Sequence, residues 1–239
     1  MILLGDTEGK PLSFWQERIE QSCASLMPVT VIVLTTTEFT TWISSTHRFA
    51  RMVVNNAKLV HQTDTFYLPE AASNDPLTEL ASVTKHFKAG MQMSNEFFAG
   101  SELFTIRKHY ILAIFMLHQS VEQALQTLLI TITGYYCSTH NIDRLLRYAA
   151  MASYQLPDLF PKNNDKEKRL FSLLQKAYIE ARYTNSFNVQ EREVKELQER
   201  VRHLHEIVNN TIQSYFSTIE FQKSTAKVTA AMGPNPVQA

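Results

Sequence analysis

At 239 residues the chain can hold one large domain or two small ones. Apolar residues supply 44% and charged residues 19%, so a sizeable core can form. The 23 Lys and Arg equal the 23 Asp and Glu, a balance that argues against bulk electrostatic binding to duplex nucleic acid while leaving local basic patches open.

In chain order, residues 11–26 are predicted helical, with Leu12, Trp15, Ile19 and Cys23 on one face, Ser13 as the cap and Gln16 three residues later. Pro28 ends that helix. The run Val29–Thr35 (VTVIVLT) is short, β-branched and bounded by turn signals, and it predicts a strand. Phe39, Trp42, Ile43, Phe49, Met52 and Val53 predict one helix over 38–55, and Lys58–Gln62 reads as a second, shorter strand. So small an α-β-α-β stretch cannot close a sheet alone, and its strand is expected to lean on the remainder of the chain.

Residues 64–75, with Pro69 and a Ser-Asn-Asp-Pro turn, are the expected linker. From Pro76 the pattern is helical, over 76–99, 104–136, 141–154, 166–185 and 190–219. The second of these helices places Tyr110, Ile114, Leu117, Val121, Ala124 and Leu128 on one side. The fifth does the same with Val194, Leu197, Val201, Leu204, Val208 and Tyr215. Both follow the alternating three- and four-residue spacing of helices packed nearly parallel or antiparallel. Residues 156–164, with Pro157 and Pro161, read as a loop, and Asp165 as the cap of the next helix. Beyond Phe221 the small, polar, proline-bearing sequence predicts a flexible tail. The expected organisation is therefore an α/β segment over 1–63, a linker over 64–75, a helical bundle over 76–221 and a tail over 222–239.

Cys23 and Cys137 stand far apart with no CxxC, which argues against a disulfide framework or a cysteine zinc site and for a reducing compartment. No basic flank followed by a long apolar run opens the chain, and Ile111–Leu117 and Val29–Leu34 are too short to span a bilayer. A soluble, cytoplasmic protein without a membrane partner is expected. No metal site is expected: His203 and His205 are two apart and point to different faces of a helix, and no HExxH, P-loop, GxSxG or GxGxxG occurs. No cofactor is expected either.

Several polar side chains interrupt the apolar faces. His118 and Glu122 are four apart and share a helical face, where they either satisfy each other or present His118 to a phosphate or base. Arg182 and Tyr183 end the fourth bundle helix one turn after Tyr178. The macrodipole alone favours an arginine there, while a guanidinium fork with tyrosines beside it also suits a phosphate and a stacked base. Thr139 and His140 are read as part of the next helix cap, and Arg107, Lys108 and His109 as a solvated basic cluster at a helix start.

Residues 103–210 resemble the HEPN domain (higher eukaryotes and prokaryotes nucleotide-binding), an all-helical bundle. The resemblance rests on LHQSVEQALQTLL, THNIDRLL, KRLFSLLQKAYIEARYTNSF and the ERV-type heptads that follow. It implies a mainly α fold, a five-helix up-down bundle after a small α/β segment. It also implies that a nucleotide or RNA phosphate binds in an inter-helix cleft through His118, Glu122, Tyr178, Arg182 and Tyr183, with Glu122 orienting His118. One departure is that Gln123 and Gln126 stand where the family commonly has lysines. The resemblance further implies a homodimer, with a toxin–antitoxin-like accessory role as one reading; the heptad-like helices also permit a purely structural adaptor whose bundle dimerises or docks a partner.

Many HEPN proteins are metal-independent ribonucleases that carry an arginine and a histidine four to six residues apart. Here the formal match is Arg200-Val-Arg-His-Leu-His205. A five-residue step on a regular helix leaves the two side chains roughly 140° apart, so they are not expected to converge. The N-terminal stretch, from its helix through VTVIVLT to TEFTTWISSTHRFARMVVNNAKLVHQ, resembles the rear half of a minimal nucleotidyltransferase. No Gly-Ser turn with an acidic strand precedes Val29, so a truncated, non-catalytic remnant is expected, with a separate nucleotidyltransferase as a possible partner.

Overall fold

Ile2–Leu4 (β1) pairs in parallel with Val33–Thr35 (β2), with Ile2 opposite Val33 and Leu4 opposite Thr35. A parallel pair needs a crossover, and Leu12–Cys23 (α1) supplies it. β1 is three residues long and gives no alternating pattern to read in the sequence. This computed structural model describes residues 1–27, 29–63, 67, 76–183 and 188–231, with the backbone alone for 76–79, 182–183 and 222–231. The expected linker and the last eight residues therefore lie almost wholly outside the described residues.

Only the last three residues of the VTVIVLT run form a ladder. Glu20 on α1 accepts the Val31 amide at 3.1 Å, and the Gln16 side chain donates to the Val31 carbonyl. Helix side chains thus take the hydrogen bonds that a longer strand would use, while Val31, Ile32, Val33 and Leu34 are all buried. α1 starts behind Pro11, whose φ of −65° suits a helix entry, and not behind Ser13, which lies inside the first turn.

The helix expected over 38–55 is two helices, Thr36–Ser44 (α2) and Arg48–Asn56 (α3). Thr35 caps α2 by accepting the Glu38 amide at 3.0 Å. At the far end the Ser44 and Ser45 hydroxyls bond backward to the Thr41 and Trp42 carbonyls. Thr46 then adopts a left-handed φ of 58°, and His47 stacks on Trp42 at 4.5 Å. A Ser-Ser-Thr run that bonds its own backbone competes with helix continuation, which is why the chain breaks there. Lys58–Gln62 forms no strand; Leu59 and Val60 are exposed and unpaired in any ladder.

The helical region consists of Pro76–Ile106 (α4), Tyr110–Thr133 (α5), Ile142–Ala149 (α6), Asp165–Tyr183 (α7) and Glu191–Ala231 (α8), with a 3-10 turn at Pro157–Leu159. The fold is mainly α, as expected. α4 continues through Gly100, where a Cβ would meet only ordinary van der Waals contact with Met116. α8 runs on to Ala231, twelve residues past the end expected at 219 and into the stretch expected to be a flexible tail.

By their contacts the residues group into two compact units. One holds Met1–Lys85 with Thr133–Cys137, the other His86–Ile132 with Ser138–Ala239. In the second unit Ile114, Leu117, Val121, Ala124, Leu125 and Leu128 of α5 are fully buried, as are Val194, Leu197, Val201, Leu204 and Val208 of α8. Small side chains bring α4 close to its neighbours: a Cβ built on Gly90 would lie 2.1 Å from Thr127 Oγ1. No helix among the described residues is long and apolar enough to cross a membrane.

Candidate functional site

Four side chains from two helices and one loop form a closed ring in the second unit. His118, on the buried face of α5, is fully buried, and its Nδ1 donates to the Leu174 carbonyl of α7 at 2.9 Å. Its Nε2 stands 3.3 Å from Glu122 Oε2, one turn along the same helix, an ion-pair contact when the imidazole carries both protons. Glu122 also accepts from His140 Nδ1, 3.0 Å from each carboxylate oxygen. His140 lies flat on Tyr178 of α7, with ring centroids 4.0 Å apart and planes 14° apart, and Tyr178 in turn lies 5.6 Å from His118.

Burial pushes the Glu122 carboxyl upward, but the hydrogen bonds from His118 and His140 outweigh it and hold the group below the usual carboxylate range. The carboxylate is therefore the negative hub between two imidazoles. Exposure is graded across the ring: His118 is shut away, the Glu122 side chain is 13% exposed and the His140 side chain 55%. What the ring offers to solvent is an imidazole face backed by tyrosine. It does not offer a phosphate cradle, because Glu122 would repel an anion and Gln126 Nε2 donates only a long 3.4 Å bond to the same carboxylate.

His118, Glu122 and Tyr178 are thus brought together. Arg182 and Tyr183 are in the last turn of α7, but their side chains lie outside the described residues. His140 is the member that sequence reading missed. The cap it was assigned to belongs to Asn141, whose side chain accepts the Arg144 amide at 3.0 Å, which leaves the His140 ring free to turn toward Glu122. The signal was present in THNIDRLL, where the histidine precedes the cap.

Arg200 and His205 are not brought together. The Arg200 guanidinium pairs with Glu167 at 2.6 Å and Glu196 at 3.1 Å. It lines an open groove of about 710 Å³ with Gln155, Asp158, Leu159 and His203, and no member of the histidine ring belongs to that groove. His205 points into the core instead. Its Nε2 lies 2.8 Å from Ser94 Oγ and 3.0 Å from Ser120 Oγ, and burial pushes its pKa down to about 4. The guanidinium is thus engaged by two carboxylates and the imidazole by two serines, and the two side chains share no partner. Among the described residues no group of His, Cys, Asp and Glu side chains is arranged to hold a metal ion.

The five helices and the order of their motifs agree with a comparison against protein families: the HEPN domain model matches residues 88–211, just over half of the chain. The chain belongs to the HEPN domain family. No curated protein matches it.

Proposed function

We propose that this HEPN protein binds a nucleotide or a short RNA segment at the His140–Tyr178 face. A base stacks on the outer side of the His140 imidazole while Glu122 and His118 hold that imidazole from behind. The observation that carries this reading is a ring lying flat on Tyr178 at 4.0 Å while its side chain remains 55% exposed. A half-open aromatic stack is what an unpaired base needs, since every base has a π-face. Full burial makes His118 a positioning residue and not a direct contact. Arg182 and Tyr183, at the end of the same helix, complete the proposed contact set by supplying a phosphate partner and a second ring.

Family membership points to a nucleotide- or RNA-related role, and the closed, carboxylate-centred ring favours binding over catalysis. A toxin–antitoxin-like accessory role, a homodimer, a separate nucleotidyltransferase partner and a nucleotidyltransferase origin for the N-terminal unit belong to the same reading and rest on resemblance alone. Isothermal titration with ATP, GTP and short single-stranded RNA is the test. Binding is expected with at least one of them, weakened about tenfold by His140→Ala and lost with Arg182→Ala. No heat from any of the three would remove the proposal. RNA cleavage in EDTA that disappears in His205→Ala would instead restore the ribonuclease reading.

A further inference from the structure

The turn joining α4 to α5 concentrates exposed apolar surface. Leu103 is 47% exposed, Ile106 79%, Ile111 36% and Leu112 40%, all within ten residues. Between them Arg107, Lys108 and His109 are exposed as well. Lys108 takes a left-handed φ of 61°, which closes the connection in three residues, and Phe104 meets His109 edge-on across it. Two long helices thus carry a compact crest with bare isoleucines and leucines around a cationic pair.

Little of the charge there is spent internally: Lys108 adds only a minor pull, behind Lys195 and Tyr110, to what holds the Glu191 carboxyl below the usual range. Among the described residues neither Arg107 nor Lys108 enters an ion pair, whereas the acidic neighbours are taken: Glu102 by Arg202 at 3.3 Å, and Glu191 by Lys195 at 2.7 Å and the Tyr110 hydroxyl at 2.9 Å. Four side chains expose on the order of a few hundred Å². That is well short of the ~800 Å² per partner of a standard protein–protein interface. An anionic bilayer surface requires neither area nor complementary shape. It takes apolar side chains to a shallow depth beside the headgroups and attracts lysine and arginine at the same level.

We propose that the α4–α5 turn is a membrane-surface contact through which the bundle docks end-on onto anionic lipid, with Ile106 as the inserted side chain and Arg107 and Lys108 at the headgroups. The contact is peripheral, in keeping with the absence of a spanning helix among the described residues. It does not depend on the nucleotide reading, because no residue of the histidine ring takes part.

The test is flotation of the full chain with vesicles of equal parts phosphatidylcholine and phosphatidylglycerol, and with vesicles of phosphatidylcholine alone. Flotation with the anionic vesicles only, weakening as salt rises, is expected. Ile106→Asp should weaken it at least about tenfold. Arg107→Gln combined with Lys108→Asn, where asparagine tolerates the left-handed backbone, should weaken it about twentyfold. Circular dichroism on each variant checks the fold, and the nucleotide titration should be unchanged by Ile106→Asp. Absence of flotation with the anionic vesicles, or equal flotation of the Ile106 variant, would overturn the proposal. So would a dimer that Ile106→Asp dissociates in a protein that ignores lipid, since the crest would then be an interface between copies.

Discussion

His205 Nε2 lies 2.8 Å from the Ser94 hydroxyl, at a seam where α4, α5 and α8 meet. The Ser94 hydroxyl also lies 2.7 Å from the Ser120 carbonyl, and the Ser120 hydroxyl 2.9 Å from the Ser94 carbonyl. With both serine protons committed to carbonyls, the hydroxyl lone pairs accept the imidazole Nε2–H, and a neutral ring fits this seam. Burial pushes the His205 pKa down to about 4.

From this follows a pH dependence with a definite sign. The unfolded chain takes up a proton on His205 near its ordinary value of 6.5, and the folded chain does so only near 4. The stabilisation is complete above 6.5 and is lost as pH falls toward 4, on the order of 3 kcal/mol over the whole window. Urea unfolding at a series of pH values should show this decline, and His205→Leu should flatten it. Glu122, held below the usual carboxylate range, adds its own loss only further down the acid limb.

The close approach at Gly90 predicts a steric penalty with a specific remedy. Gly90→Ala places a methyl 2.1 Å from Thr127 Oγ1 and 2.8 Å from its Cγ2, and should cost about 1–3 kcal/mol. Thr127→Ala removes both of those atoms. The double variant should therefore lose less than the two single variants combined, as measured by chemical denaturation.

His118 and His140 should separate under mutation. His118→Ala empties a fully buried position and strips Glu122 of one donor, so a stability loss of about 2–4 kcal/mol is expected. His140→Ala removes a half-exposed ring and should cost less than about 1 kcal/mol. It is nevertheless the variant expected to impair base binding, so thermal unfolding and ligand titration should rank the two in opposite orders.

Arg200 is expected to behave as a structural cation. Arg200→Met leaves Glu167 and Glu196 facing each other without their shared partner and should destabilise the bundle by about 1–2 kcal/mol. Arg200→Lys should recover only part of that loss, because the shorter lysine stem has to bring its ammonium to the one position, that of Arg200 Nη2, from which both carboxylates are met. Denaturation midpoints of the three proteins decide the point.

The buried stripes of α5 and α8 were legible in the sequence because one residue in three or four is apolar and the period is sustained over several turns. The break at Ser45–His47 was harder to see, since Phe39, Trp42, Phe49 and Met52 keep a helical spacing across it. What breaks the helix is serine and threonine hydrogen bonding, which apolar periodicity does not register. β1 and the shortening of VTVIVLT depend on tertiary partners, Glu20 and Gln16 on a neighbouring helix. The same division holds at the candidate site. The four-residue spacing placed His118 beside Glu122, and the five-residue spacing placed Arg200 away from His205. The stack of His140 on Tyr178, 38 positions apart, follows from no local pattern.

Leu174 and Tyr178 are one turn apart on α7, and the first holds His118 by its carbonyl while the second meets both imidazoles. Sliding that helix by a single residue would swing both features by about 100° and unseat them at once. Where the surrounding leucines would tolerate several near-equivalent alignments, these two points of engagement accept just one. The polar ring thereby works as a ratchet stop, fixing the axial position of a helix whose neighbours are otherwise greasy and interchangeable.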